Sequence, residues 1–214
     1  RICQQALKNR LEPIFEAEFN ECSFGYRPGR SPHDAMRAIW KGLMEGYQWV
    51  LDADLRDYFG SVDHEKLIDM IAEKVSDGRV LNLIRQMLKA GYMEKGRLFP
   101  TNQGTPQGGV SSPLFSNIYL TPFDNEMTGC GHRLTRFADD WVVLCRSKKE
   151  AEKALTDARM ILESLGLTLH PSKTRIVHIR QGFEFLGYKL KQGKGLKLPE
   201  DKIKKGKNMR NIYA

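Results

Sequence analysis

Three aspartates lie in or beside apolar segments whose pattern predicts β-strands. A carboxylate in such a place is costly unless it has a partner or a function. Asp54 is the penultimate residue of the segment QWVLDADL, and Asp139-Asp140 separates RLTRFA from WVVLCR. Alternation along the first segment puts Asp52 and Asp54 on one face. If the acids converge, they raise one another's pKa unless a cation binds, and hard oxygen ligands favour Mg²⁺ or Mn²⁺. Such a cluster would suit two metal ions that clamp a phosphoryl transfer.

Each of these features also has an ordinary interpretation. Two aspartates between strands are commonly just a hairpin turn, and an aspartate in a strand can lie at an exposed edge. The glycine-rich segment QGTPQGG, residues 103–109, is either a flexible connector or a nest of backbone N–H groups that faces phosphates. It is not a P-loop, since G-x-x-x-x-G-K-[ST] does not occur in the sequence. The positions of these segments in the fold must decide between the ordinary and the functional interpretation.

The elements around the acids predict an α+β fold, in which helices back an antiparallel sheet. The order is that of the split β-α-β-β-α-β pattern, with two helices inserted after the first strand. In this topology the first strand and the hairpin are neighbours, so Asp54 can approach Asp139 and Asp140. The predicted elements are a strand at 48–55, two helices within 63–91, a helix from Ser112, the hairpin, a helix from Ser147 to Leu165, and short strands around Thr168, 176–179 and 183–190.

Upstream of the first strand, the pattern predicts two helices and a turn-rich connection. The first covers residues 2–18 and is expected to be interrupted near Pro13. Ser31 and Pro32 supply an N-cap and a first-turn proline for the second, which should run to about Gly46. Between them lies SFGYRPGRS.

The composition is that of a folded domain. Of 214 residues, 41% are hydrophobic and 28% are charged, which suffices for one or two cores. The apolar run 141–145 is too short to cross a bilayer, and the first residues lack a secretory core. We therefore expect an intracellular protein that is not secreted and has no membrane partner. Four scattered cysteines without a C-x-x-C pair favour reduced thiols and argue against zinc.

The net charge of +8 is concentrated near one end of the chain. Residues 189–210 hold nine Lys and Arg against Glu200 and Asp201, a local charge of +7. Such a segment is either a solvated terminus or a phosphate-binding surface, and charge alone does not choose between them.

Six motifs in order resemble the reverse transcriptases encoded by group II introns, also called maturases. The similar segments are SFGYRPGRSPHDA in the fingers, VLDADLRDYFGSVDH at the first catalytic strand, QGTPQGGVSSPLFSNIYL at the PQG motif, RFADDWVVL at the acidic hairpin, LGLTLHPSKT with its lysine, and GFEFLGY at the primer grip. The resemblance covers about residues 1–190. It implies a right-hand polymerase with a ferredoxin-like sheet in its palm. The implied activity is that of an RNA-directed DNA polymerase, a nucleotidyltransferase that joins dNTPs to a primer 3′-OH with two metal ions.

The resemblance also implies a division of the chain. Fingers would occupy 1–47 and 78–110, the palm 48–77 and 111–190, and a basic linker 191–214. Earlier motifs of the family would precede Arg1, and its thumb would follow Ala214.

Residue by residue, the resemblance assigns a metal site and a sugar gate. Asp54 and Asp139 would bind both Mg²⁺ ions, for which Mn²⁺ could substitute, with Asp140 adjacent and the backbone carbonyl of Leu55 assisting. Phe59 would be the steric gate that rejects a ribose 2′-OH, since a ring without hydrogen-bonding groups suits that exclusion. The alternative is an ordinary core aromatic.

Four further residues are assigned to substrate. Gln107 would line the nucleotide pocket. Arg27 and Arg30 would contact the triphosphate or the template backbone through bidentate bonds, or else are solvated turn arginines. Lys173 would donate a proton to the leaving pyrophosphate, or else is an ordinary turn lysine.

The chain departs from the family pattern near the first acid. Many members have Gly in place of Asp57 and Asp in place of Gly60, and Phe137 replaces the commoner Tyr. None of these changes removes a metal-binding acid.

The implied partners are an RNA template, a DNA primer, dNTPs and the RNA of the host intron. Two alternatives stay open: an RNA-binding splicing cofactor in which polymerisation is secondary or lost, and a reverse transcriptase of a retron, diversity-generating or CRISPR-linked system. The intact acids favour catalysis, because a pure binder gains nothing from a carboxylate cluster. The segments PQGG and RPGRS favour the intron type.

Overall fold

The computed structural model describes residues 1–90, 92–94, 97–99, 103–105, 109–191 and 195–197. Its helices are α1 (Ile2–Glu16), α2 (Pro32–Met44), α3 (Tyr58–Ser61), α4 (His64–Ala72), α5 (Gly78–Lys89), α6 (Ser112–Gly129) and α7 (Lys148–Ser164). Its strands are β1 (Trp49–Ala53), β2 (Tyr92–Glu94), β3 (Arg97–Phe99), β4 (Arg133–Phe137), β5 (Asp140–Cys145), β6 (Arg175–His178), β7 (Phe183–Phe185), β8 (Tyr188–Lys191) and β9 (Gly195–Lys197).

A four-stranded antiparallel sheet forms the centre of the fold. Its strand order is β4-β5-β1-β6, and β1 lies between β5 and β6 with antiparallel pairing on both sides. This is the order that the split β-α-β-β-α-β pattern requires. The predicted α+β fold and the adjacency of the first strand to the hairpin are therefore confirmed.

The two faces of this sheet are buried in different cores. Leu51 and Ala53 of β1 belong to a large core with residues of α6 and α7. Val50, on the opposite face, belongs to a second core with residues of α2, β7 and β8. Because successive side chains of a strand alternate between faces, Asp52 lies on the Val50 side. The predicted alternation along this strand is correct.

Helix α1 is continuous, so the predicted interruption near Pro13 was wrong. Pro13 lies inside the helix, where it removes one backbone hydrogen bond. Leu7, Leu11 and Phe15 recur every four residues and are buried. We attribute the continuity of the helix to this buried stripe, which offsets the bond lost at the proline.

The predicted starts of α2 and α7 are correct, and polar side chains cap both helices. The N–H of Ser31 donates to the Asp34 carboxylate at 3.0 Å, and Pro32 is the first residue of α2. At α7, the Ser147 hydroxyl accepts the N–H of Glu150 at 3.1 Å. Such caps satisfy backbone N–H groups that have no partner within the helix.

The tip of the β4–β5 hairpin was predicted one residue too far along the chain. Phe137 pairs with Asp140, so Asp140 is the first residue of β5 and the two-residue tip is Ala138-Asp139. Ala138 has a φ of +57°. Among described non-glycine residues with positive φ, Asp139 does not occur, and a positive φ at the first turn position alone is typical of a type II′ turn. The register therefore places Asp139 in the turn and Asp140 in the strand.

The end of the described chain also differs from the prediction. Residues 183–190 are not one strand: β7 and β8 form a hairpin, and β9 adds to it as a separate three-stranded sheet. Leu186 and Gly187 between them have φ of +50° and +77°, as in a type I′ turn. The strand expected around Thr168 is only an isolated bridge between Leu55 and Leu169. Helix α3 and the β2–β3 hairpin were not predicted.

Within the described residues, no helix has the length and apolar character needed to cross a membrane. The basic segment 191–214 lies outside the described residues apart from Lys191 and β9. Its role as a linker, and the division into fingers and palm, stay predictions.

Candidate functional site

The end of β1 and the start of β5 meet at one edge of the central sheet. Ala53 pairs with Trp141, and the same register continued by one residue places Asp54 opposite Asp140. A cavity of about 350 Å³ opens at this edge. The charged residues that line it are Asp52, Asp54, Asp140, Lys173, Arg175 and Glu184.

Lys173 is bound directly to the first of the predicted metal-binding acids. Its Nζ donates to Asp54 Oδ2 at 2.5 Å. The chain is held here by the bridge between Leu55 and Leu169, and the N–H of His170 donates to the Asp54 carbonyl at 2.8 Å. The hydrogen bond that Lys173 donates to Asp54, and then the negative charge of that carboxylate, raise the pKa of Lys173. The lysine therefore carries its proton at neutral pH and neutralises Asp54. The role predicted for the Leu55 carbonyl stays a prediction.

The two acids of the hairpin lie close enough to Asp54 for their charges to interact. The pKa of Asp140 is raised to about 6, mainly by burial and to a lesser extent by repulsion from Asp139 and Asp54. The residue is nevertheless still accessible to solvent. Burial, and then repulsion from Asp54, raises the pKa of Asp139. Mutual repulsion of this kind is what a bound cation relieves.

The chemistry of this donor set fits a divalent cation. Carboxylate oxygens are the ligands that Mg²⁺ and Mn²⁺ prefer. Among the residues that the structure describes, however, no three His, Cys, Asp or Glu side chains are already arranged as a metal site. In this conformation Lys173 already forms a hydrogen bond with the Asp54 carboxylate. A cation would therefore compete with the lysine for that carboxylate.

Sequence reasoning missed a second ion pair in the same cavity. Arg175 donates from Nε to Asp52 Oδ2 at 2.9 Å, and its Nη2 lies 2.8 Å from the same oxygen. Burial raises the pKa of Asp52, and the arginine opposes that shift. Two signals could have revealed the pair: Asp52 shares a face with Asp54, and Arg175 follows Lys173 by two residues.

Phe59 lies beside the start of the glycine-rich segment. Its ring is half-buried, packs against the large core and contacts Tyr58 edge-on at 5.3 Å. The N–H of Thr105 donates to the Phe59 carbonyl at 2.7 Å. At Gly104, φ is +92° and a Cβ would lie 2.6 Å from that carbonyl, so only glycine fits. Gln107 lies outside the described residues, and both assigned roles stay predictions.

Arg27 and Arg30 already have partners within the protein. The Arg27 guanidinium is buried and donates to Glu16 at 2.8 Å. Arg30 binds Glu21 at 2.6 Å and lies over the Phe24 ring at 5.3 Å. In this conformation a phosphate contact from Arg27 would require its ion pair to open. The predicted phosphate contacts stay predictions.

The departures from the family pattern at Asp57 and Gly60 are coupled by contact. Asp57 has a φ of +44°, which favours glycine. A Cβ at Gly60 would collide with the Asp57 carboxylate. The Asp57 carboxylate therefore fills the space that a side chain at Gly60 would need, and it would have to move to admit one.

This contact predicts a double-mutant coupling. We expect Gly60→Ala to lower the free energy of unfolding by about 1 kcal/mol, and by less than about half of that in the Asp57→Gly background. Gly78→Ala is the control, since a Cβ at Gly78 meets no atom within 4 Å. Urea denaturation measures all four variants. Equal costs of Gly60→Ala in both backgrounds would contradict the coupling.

Comparison with known proteins gives matches along most of the chain. A family described as reverse transcriptase (RNA-dependent DNA polymerase) matches residues 1–190. Protein YkfC of Escherichia coli is 33% identical, with 89% of this chain and 60% of that protein covered. The group II intron-encoded protein LtrA of Lactococcus lactis is 29% identical, with 89% of this chain and 43% of that protein covered. The chain thus spans less than two thirds of these curated relatives.

The solved structures that resemble the chain include telomerases. Telomerase from Candida albicans, in complex with a fragment of telomeric RNA, has a TM-score of 0.66 at 14% identity, covering 92% of this chain and 37% of the other. Apo telomerase from Candida tropicalis has the same score and identity, covering 92% and 40%. At such low identity this likeness concerns the fold alone. It confirms the predicted fingers-palm polymerase fold.

Proposed function

Since the chain belongs to the reverse transcriptase (RNA-dependent DNA polymerase) family, we propose that it is the fingers-palm part of a group II intron-type reverse transcriptase/maturase. It would extend a DNA primer on an RNA template by attack of the primer 3′-OH on the α-phosphate of a dNTP. The observation that carries this proposal is the convergence of Asp54, Asp140 and Lys173 on one cavity, with Asp139 at the adjacent tip. The intron-encoded relatives favour the host intron RNA as a further partner.

Membership of this family implies the use of a divalent cation, and we propose two Mg²⁺ ions, with Mn²⁺ as a substitute. Asp54, Asp139, Asp140 and the Leu55 carbonyl would hold them. Cations bound there would lower the pKa of the primer 3′-OH and neutralise charge on the reacting phosphate.

The chain's own side chains would prepare and complete this step. Lys173 keeps a proton on Nζ beside Asp54, so it balances that carboxylate in the free protein and can donate to the leaving pyrophosphate. Gln107, Arg27 and Arg30 would hold the incoming nucleotide or the template. The fingers would comprise 1–47 and 78–110, the palm 48–77 and 111–190, and the cellular site would be cytoplasmic or organellar.

Phe59 would select the sugar, which is supported by its half-buried position beside the glycine-rich segment. We expect Phe59→Val to raise ribonucleotide incorporation relative to deoxyribonucleotide incorporation by at least about tenfold, roughly 1.4 kcal/mol of discrimination. The control is Phe59→Tyr, which keeps the ring and should leave the ratio within about twofold. Competing single-nucleotide incorporation assays measure the ratio. If a folded Phe59→Val protein showed an unchanged ratio of ribonucleotide to deoxyribonucleotide incorporation, Phe59 would be an ordinary core aromatic.

The direct test of the function is primer extension on an RNA template by the purified chain. We expect products that require dNTPs and a divalent cation and that disappear with EDTA. RNA binding without any extension, with Mg²⁺ or Mn²⁺ supplied, would instead support the RNA-binding splicing cofactor.

A further inference from the structure

We propose that Arg136 is a positioning residue that fixes the hairpin tip carrying Asp139. The proposal rests on the proposed function, because Asp139 is one of the acids assigned to the reaction. Arg136 itself does not line the cavity. It precedes Asp139 by three residues and acts through the backbone of the turn, at the Ala138 carbonyl.

All five N–H groups of the Arg136 guanidinium donate to protein acceptors, and the residue is 0% exposed. Two bonds go to the Asp124 carboxylate at 2.7 and 2.5 Å. The others reach Asn117 Oδ1 at 3.1 Å, Ser23 Oγ at 2.9 Å and the Ala138 carbonyl at 2.9 Å. A lysine has three donors on one atom and cannot reproduce this planar set.

The bond to the Ala138 carbonyl acts on the strained point of the turn. Ala138 has a φ of +57°, a conformation that costs a residue with a Cβ some stability and persists where its surroundings impose it. Asp139 follows directly. Holding the Ala138 carbonyl therefore sets the direction in which the chain leaves the turn toward Asp139.

The segment 22–25 packs against the turn and forms hydrogen bonds with the strand that leads into it. The N–H of Arg136 donates to the Cys22 carbonyl and the N–H of Phe24 donates to the Arg136 carbonyl, both at 2.8 Å. A Cβ at Gly25 would collide with the Ala138 nitrogen. Asn117 joins the two sides, because it accepts from Arg136 and donates to the Gly25 carbonyl at 2.8 Å.

Burial of the whole pair is hard to explain by stability alone. Asp124 is also 0% exposed, and removing two charges from water costs as much as their attraction returns. Apolar residues of similar volume often replace such an ion pair without loss of stability. What they could not supply is a bond to the Ala138 carbonyl, so the geometry points to turn positioning as the role of the charge.

Arg136→Lys tests this role, with Arg133→Lys as the matched control. Arg133 lies on the same strand and is paired with Glu45 on the surface, away from the tip. We expect Arg136→Lys to lower kcat for single-nucleotide incorporation at least thirtyfold, with the KM for dNTP within threefold. Hydrogen exchange of the amides at 137–141 should become at least tenfold faster. The control should change neither quantity by more than threefold.

A second variant separates positioning from folding. Glycine accepts the φ of Ala138 without strain, so Ala138→Gly should not lower the melting temperature, whereas a looser turn should lower kcat at least fivefold. A kcat of Arg136→Lys within threefold of wild type, or a loss equal to the loss of folded protein, would overturn the proposal. Should the wild-type chain extend no primer, the proposed function fails, and unchanged exchange at 137–141 would still overturn the role of Arg136.

Discussion

Asp139→Asn is expected to reduce primer extension by at least about 10³-fold, roughly 4 kcal/mol of transition-state stabilisation. The asparagine keeps the size of the side chain but removes the charge that would hold a cation at the tip. RNA affinity should stay within about threefold, because one charge at the tip contributes little to a surface that binds many phosphates. Primer extension and filter binding measure the two quantities on the same preparation.

The control for this prediction is Asp69→Asn, which removes an equivalent charge from an exposed position on α4. It should leave extension unchanged. Extension near the wild-type level by Asp139→Asn would refute the metal assignment. A parallel loss of RNA affinity and of folded protein would show that the acid cluster is structural.

Asp124→Ala is expected to lower the free energy of unfolding by about 3–5 kcal/mol, because it leaves the buried Arg136 charge without its partner. Both members of this ion pair are 0% exposed, and their closest contact is 2.5 Å. A loss of this size is a large part of the stability of an ordinary domain. Urea denaturation measures it.

The control is Glu18→Ala, which removes an ion pair with Lys74 whose two side chains are 50% and 41% exposed. Exposed pairs contribute less than about 1 kcal/mol, so this variant should unfold near the wild-type midpoint. Similar losses from Asp124→Ala and Glu18→Ala would contradict the argument. Replacing Asp124 and Arg136 together by Leu and Met should recover stability and, if Arg136 positions the turn, should still leave extension impaired.

The sequence by itself determined the order of the main helices and central-sheet strands, and that the first strand lies beside the hairpin. The alternation in β1 and the caps at Ser31 and Ser147 are local signals, because strand faces and helix ends depend on residues within a few positions. The split topology then predicts that Asp54 lies beside the hairpin. Motif resemblance added Lys173, and its bond to Asp54 is present in the fold.

Tertiary structure alone decided the details that depend on contacts between distant segments. No local pattern distinguishes a tip at Asp139-Asp140 from one at Ala138-Asp139. That choice is made by cross-strand register, and a shift of one residue turns every side chain to the other face. The same holds for α1, where buried packing keeps the helix intact through Pro13.

The partners of the buried and partly buried charges are likewise decided by tertiary structure. The Arg136 guanidinium donates hydrogen bonds to Ser23, to α6 and to its own turn. Asp52 finds Arg175 across 123 positions of sequence. Charge in the sequence shows that these groups need partners, because a buried charge without one is costly. Which partner each receives depends on how the segments pack, since that packing alone brings them within hydrogen-bonding distance.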